Sequence, residues 1–258
     1  EFIQDLTLEN VVDLKLANDR LYFSRLHECD GMHCRYSVHR VDLDSPGPPE
    51  QLFVFPPDSD PDWPKHTNFK GHFQASADGS TLVLLGTSIR SVRVYVWRKG
   101  ELRELDSVCL NPNGQCGGTG SVYNDTDPVA VSPDGSKVAA FMMVDEALQL
   151  RLYDTDSTEK KTEDLIVLPE CCFFTEACNH LGSEDWHFRW VAGRALFSPD
   201  QTQIYVLVTN DCPSVVSLYG KPHTNVIALD VATIGDGTHL QSGDFVNVTA
   251  NPKNASAE

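Results

Sequence analysis

One short corner recurs along this chain and restricts its architecture more than any other feature. Ala75-Ser76-Ala77-Asp78-Gly79-Ser80, Val131-Ser132-Pro133-Asp134-Gly135-Ser136 and Phe197-Ser198-Pro199-Asp200-Gln201-Thr202 are three copies of one turn. Pro presets φ at such a corner, Asp binds the local backbone, and Gly takes the positive φ that closes it. Each copy follows a short alternating segment and precedes an apolar strand: Thr81 to Leu85, Lys137 to Met142 and Gln203 to Val208. A worn fourth copy, Leu16-Ala17-Asn18-Asp19, stands ahead of Arg20 to Ser24. The Asp-to-Asp steps from Asp19 through Asp78 and Asp134 to Asp200 are 59, 56 and 66 residues. A fixed period of this size is the signature of a repeat architecture.

Two more strands follow in every unit. The second-to-last read Arg35 to Val41, Arg93 to Trp97, Gln149 to Tyr153 and Asn225 to Leu229. The last read Gln51 to Phe55, Glu101 to Leu105, Asp164 to Leu168 and Phe245 to Val248. No amphipathic helical period interrupts them. The expectation is an all-β chain of four-stranded antiparallel meanders, which are the blades of a β-propeller. Approximate blades are 11–55, 72–106, 128–168 and 191–249. Compact blades of roughly 40 to 45 residues would allow six, but the period near 60 leaves about four. Four is the lower limit for closure, so the chain is expected to be part of a larger propeller. Its start at Glu1-Phe2, without methionine or signal peptide, is expected of a mature, excised or engineered segment.

The stretch Asp127-Pro128-Val129-Ala130-Val131-Ser132-Pro133-Asp134-Gly135-Ser136-Lys137-Val138-Ala139-Ala140-Phe141 resembles the propeller repeat of the TolB type. The same repeat type occurs in TolB-like surface proteins and in propellers of prolyl-oligopeptidase-like enzymes. Ala77 in place of Pro and Gln201 in place of Gly depart from it. The resemblance implies the fold and leaves function open.

The connections are lopsided. In an antiparallel blade the first-to-second and third-to-fourth turns share one rim, and the second-to-third and blade-to-blade connections share the other. The Ser-x-Asp-Gly rim is tight. On the opposite rim Pro56 to Gly71, Ser107 to Asp127, Pro169 to Trp190, Leu26 to Cys34 and Thr209 to Thr224 read as long loops, and every one of the 8 cysteines falls within them. Long loops on a compact scaffold are where binding surfaces are built.

The cysteine spacing favours local staples and an oxidising, extracytoplasmic location: secreted, periplasmic or cell-surface. The expected pairs are Cys29 with Cys34, Cys109 with Cys116, Cys178 with one of Cys171 and Cys172, and Cys212 with the other. Zinc is the competing chemistry, because His27, Cys29, His33 and Cys34 lie within eight residues. The chain has no Cys-x-x-Cys to support it. Sequons at Asn124, Asn247 and Asn254 are compatible with secretion.

Candidate ligand-binding residues cluster where the blade-to-blade segments enter the innermost strands: Asp62, His66, Asn68 and His72, then Asn124, Asp125 and Asp127, then Glu184, Asp185, Trp186, His187 and Arg189. These positions are expected to converge on the mouth of the central channel. No cofactor is expected; calcium is the one ion whose preference for several oxygens these carboxylates suit. Against it stands the ordinary role of Asp-rich loops as solvated turns. Trp63, Trp186 and Trp190 would serve equally as a recognition surface or as plugs between blades.

Charge narrows the partners. With 37 acidic and 20 basic side chains the net charge is −17, which repels nucleic-acid backbones and anionic lipid. No apolar run approaches the roughly 18 residues of a membrane span. Neither a Gly-x-Ser-x-Gly elbow nor a His-Glu-x-x-His pair occurs, so no catalytic residue is assigned. The expected function is a binding or scaffold propeller whose stapled rim engages a protein or glycan, with the remainder of the propeller, as another chain or domain, a further partner. The alternative is the propeller part of a larger hydrolase or peptidase, gating or orienting its substrate.

Overall fold

The computed structural model describes residues 10–30, 33–45, 47–57, 67–68, 71–88, 91–109, 129–144, 147–157, 159–164, 190–210, 223–235 and 246–247. They form four antiparallel sheets in chain order. The first holds β1 (Val11–Ala17), β2 (Arg20–Asp30), β3 (His33–Asp42) and β4 (Glu50–Phe55). In the second, β5 (Thr67–Asn68) and β6 (Gln74–Ala75) both pair with β7 (Thr81–Ser88), followed by β8 (Ser91–Arg98) and β9 (Glu101–Cys109). The third holds β10 (Val129–Val131), β11 (Lys137–Val144), β12 (Ala147–Asp154) and β13 (Lys160–Asp164). The fourth holds β14 (Trp190–Phe197), β15 (Gln203–Asn210), β16 (His223–Asp230) and β17 (Val246–Asn247). Among the described residues the only helical segment is the 3-10 turn Val231–Thr233.

The second strand of each sheet explains how the sheets assemble. In β7, Leu82 and Leu84 pack toward the first sheet, whereas Val83 and Leu85 pack toward the third. In β11, Val138 and Ala140 face the second sheet, and Ala139 and Phe141 face the fourth. A strand that is apolar at every position has no solvent face and must be covered on both sides. The sheets therefore stand face to face. The inner strands meet in series, β1 beside β6, β6 beside β10, and β10 beside β14, which is the arrangement of propeller blades.

Three seams result. The first joins Tyr22, Val38 and Phe55 to Phe73, Leu82, Tyr95 and Trp97, with Phe55 edge-on to Tyr95 at 5.0 Å between ring centroids. The second is lined by Val83, Val94, Val129, Val138 and Tyr153. The third is lined by Phe141, Leu150, Phe197, Ile204, Val206 and Leu229. Each fully buried aliphatic or aromatic side chain contributes about 1.5 to 3 kcal/mol relative to exposure.

Three expectations are corrected. Leu26 to Cys34 is not a long loop. β2 and β3 remain paired as far as Asp30 and His33, with a bulge between Leu26 and Glu28. The segment is polar and shows no clean alternation, because its bulge breaks the two-residue period. Cys29 and Cys34 consequently lie on strands rather than in a loop, and Cys109 likewise ends β9. The fourth copy of the corner is also a different turn: Asn18 and Asp19, at φ 47° and 54°, link β1 to β2 directly. Two residues at positive φ form the tightest hairpin connection, and Asn and Asp tolerate it.

Candidate functional site

The two rims differ in chemistry as well as in length. On the tight rim the three Ser-x-Asp corners carry one hydrogen-bond pattern. The Ser76, Ser132 and Ser198 hydroxyls donate to Oδ1 of Asp78, Asp134 and Asp200 at 2.6, 2.7 and 2.5 Å. The same oxygens accept from the amides of Ser80, Ser136 and Thr202 at 2.9, 2.9 and 3.2 Å. Each serine oxygen in turn accepts the amide of Thr81, Lys137 or Gln203, at 3.0, 2.9 and 2.9 Å. Partial burial pulls the Asp78 and Asp134 carboxyls upward, but these donors outweigh it and hold both below the usual carboxylate range. The Ser198 hydroxyl, with Thr202, does the same for Asp200. These aspartates are committed to closing turns.

The corners are also tied across the seams. Tyr22 Oη donates to Gly79 O at 2.9 Å, and Thr155 Oγ1 donates to Gly135 O at 2.7 Å. Arg98 Nη1 reaches the same Gly135 carbonyl and, at 2.8 Å, Thr155 Oγ1. Gln201, at φ 62° where the other corners have glycine, contributes a side-chain hydrogen bond to Asp134. Further out in the second seam, Asp106 accepts from Arg151 Nη1 at 2.6 Å, Tyr153 Oη at 3.0 Å and Lys160 Nζ at 3.1 Å. Burial raises the Tyr153 hydroxyl, with the Asp106 charge adding to it, so Tyr153 remains a donor.

The opposite rim carries the β2–β3 hairpin. Cys29 lies directly across from Cys34, and the two are joined in a disulfide with 4.1 Å between Cα atoms, as the spacing predicts. Arg35 braces the hairpin: its Nη1 pairs with Glu28 at 2.8 Å, and its Nε donates to Pro56 O at 3.0 Å. The hairpin is thereby fixed to the start of the connection that leaves the first blade.

Near the same rim, on the innermost strand of the first blade, stands a group of which sequence reasoning singled out His72 and missed Asp13 and Lys15. Asp13 Oδ1 accepts Lys15 Nζ at 2.8 Å, and Oδ2 accepts the Phe73 amide at 3.1 Å. His72 Nδ1 lies 3.7 Å from Oδ2, and Lys15 Nζ sits 5.9 Å from the centroid of the Phe73 ring. Val12-Asp13-Leu14-Lys15-Leu16 alternates perfectly, so hydropathy alone would turn its charges to solvent. The structure does the reverse and places Asp13 and Lys15 in the seam. The available signal was Leu21-Tyr22-Phe23 in the neighbouring strand, which already demands cover on both faces.

Asp62, His66, Asn124, Asp127, Asp185, Trp186, His187 and Arg189 all lie outside the described residues, as do Cys116, Cys171, Cys172, Cys178 and Cys212. Cys109 ends β9, and its side chain is likewise outside them. Among the described residues no group of three or more His, Cys, Asp or Glu side chains is placed to hold a metal ion. No helix among them is long and apolar enough to cross a membrane.

No protein-family model matches the chain, and no curated protein sequence does. Solved structures similar to it include TolB from Acinetobacter baumannii, at 15% identity and TM-score 0.44 over 84% of this chain and 39% of that one. A puromycin hydrolase is similar at 13% identity and TM-score 0.47, over 90% of this chain and 29% of the hydrolase. The propeller domain of the Trilobed protease from Pyrococcus furiosus is similar at 9% identity and TM-score 0.43, over 87% of this chain and 70% of that domain. This chain thus spans about two fifths of TolB. Its own four sheets and three seams are what make it a β-propeller chain.

Proposed function

We propose that this chain is an extracytoplasmic β-propeller module whose stapled rim engages a protein or glycan partner. The observation that supports the reading is the asymmetry of the rims. On one, the corners spend their polar groups on each other and on neighbouring sheets. The other carries the braced Cys29–Cys34 hairpin and the longer connections. A rigid scaffold closed on one rim and elaborated on the other is organised for recognition at the elaborated rim. The disulfide supports an oxidising compartment. A net charge of −17 favours basic partners and binding that weakens with salt. Calcium held by Asp62, Asp127 or Asp185 is a proposal of the same rim.

The test uses immobilised chain, a glycan array and a basic protein such as lysozyme as probes. The expected result is retention that falls at least about tenfold between 0.05 and 0.5 M NaCl. Retention should be reduced by Asp127→Asn with Asp185→Asn and unaffected by Lys99→Ala on the tight rim. Binding lost equally from both rims, or indifferent to salt, would overturn the reading.

A further inference from the structure

The Cys29–Cys34 bond joins two strands that are already joined. β2 and β3 pair from Arg20 opposite Asp42 out to Glu28 opposite Arg35, and the pairing continues beyond the disulfide to Asp30 opposite His33. Rungs of the sheet therefore stand on both sides of the bond. Just inside it, Arg35 holds Glu28 at 2.8 Å and the Pro56 carbonyl at 3.0 Å. The two cysteines are only 5 residues apart in sequence, and a bond that closes so short a ring removes little freedom from the unfolded chain. The covalent tie duplicates contacts that hold the hairpin without it.

The two sulfurs differ in access. Cys29 follows Leu26, His27 and Glu28 along an exposed stretch and is exposed itself. Cys34 is half-buried and leads into Arg35, Ser37 and Val38, all buried. Thiol–disulfide exchange begins with a thiolate reaching one sulfur of the bond, so access decides which sulfur is attacked. Here that sulfur belongs to Cys29. Once the bond is broken, the rungs on either side keep the two cysteines opposite each other, and reclosure is an intramolecular reaction.

We infer that the Cys29–Cys34 hairpin is an exchangeable thiol–disulfide couple, opened at Cys29 by low-molecular-weight thiols while the first sheet stays folded. The incoming thiolate bonds to Cys29 Sγ; the S–S bond breaks, and its electron pair leaves on Cys34 Sγ as a thiolate. Two outcomes follow. Cys34 returns to Cys29 Sγ and expels the small thiol, which restores the bond. Otherwise a second small thiolate attacks the sulfur of the first, forms the small disulfide and leaves Cys29 and Cys34 as a dithiol. Full opening takes two electrons, supplied by two thiols, and the released thiolates take their protons from solvent. The couple lies on the rim assigned to partner binding but does not rest on that reading, because its readout is the state of two sulfurs.

The experiment holds the full chain in graded mixtures of reduced and oxidised glutathione, quenches with acid and alkylates the free thiols. Trypsin releases both cysteines in the 26–35 peptide, and fragmentation of that peptide assigns each adduct. Opening and reclosure are expected to follow the glutathione ratio, with the mixed disulfide on Cys29 at least about tenfold in excess over Cys34. Far-UV circular dichroism is expected to be unchanged on opening. The opening rate should vary by less than about twofold in urea below the unfolding transition, whereas opening through global unfolding would rise at least about tenfold there. Cys34→Ser is expected to keep glutathione on Cys29, since no second thiol remains to expel it. In Cys29→Ser the adduct on Cys34 should form at least about tenfold more slowly. A rate that climbs with urea would overturn the inference, as would equal labelling of the two sulfurs or loss of sheet signal on opening. None of these results bears on salt-dependent retention by the oxidised chain, so the two readings fail separately.

Discussion

Gly135 shows how much a single position of the repeat can carry. Its φ is +69°, and a Cβ there would stand 2.3 Å from Thr81 Oγ1, across the second seam. Gly135→Ala therefore adds a clash between sheets to left-handed strain, and about 2 to 4 kcal/mol of destabilisation is expected in urea melts. Gly100→Ala supplies the comparison: φ is +84°, but nothing lies within 4 Å, so about 1 kcal/mol is expected from backbone strain alone. His39 is the second revealing residue. It is buried, stacked on Phe23 at 5.2 Å and hydrogen-bonded to Ser37 Oγ at 2.8 Å. Burial, with the nearby Arg25 and His27 charges, lowers its pKa to about 4. The unfolded chain therefore binds a proton between about pH 6.5 and 4 that the folded chain refuses, and stability falls as pH drops through that window. The loss is on the order of 3 kcal/mol and is expected to be much smaller in His39→Gln. Below pH 4 the depressed carboxyls of Asp78, Asp134 and Asp200 take over, and their contribution disappears as they are protonated.

Elements are joined by a few polar clamps whose worth depends on burial. The Asp106 side chain is only 9% exposed and accepts from two strands of the next sheet, so Asp106→Asn leaves Arg151 without its charge partner. About 3 kcal/mol is expected to be lost, read as a lower denaturation midpoint with an unchanged slope. Lys99→Ala removes the exposed pair with Asp156 and is expected to change stability by less than about 1 kcal/mol. Replacing both Cys29 and Cys34 by serine opens a short loop and is expected to cost about 2 kcal/mol. The corners and the doubly apolar second strands were legible in the sequence because both are local patterns, one of turn chemistry and one of period. The clamps were not: Tyr22 and Gly79, or Asp106 and Arg151, are 57 and 45 residues apart, and no spacing rule joins them. The length of the β2–β3 hairpin was hidden by its bulge, and the orientation of Asp13 and Lys15 by an alternation that reads equally well either way round. The candidate ligand residues, which lie outside the described residues, came from loop composition, which has no period to fix where a side chain goes.

At the level of the molecule, charge and topology pull in different directions. A net charge of −17 on a chain of this length repels itself, so the melting temperature is expected to rise when NaCl increases from about 0.01 to 0.15 M, a shift that calorimetry would read directly. The topology is more forgiving. Among the described residues every seam joins a sheet to its neighbours in sequence, and each sheet completes its own backbone pairing within one repeat. Stability is then close to a sum of sheet terms and neighbour terms. In a lineage built this way, duplicating or deleting one repeat disturbs two faces and leaves every other seam intact. The same wheel can change its number of spokes while keeping its rim chemistry.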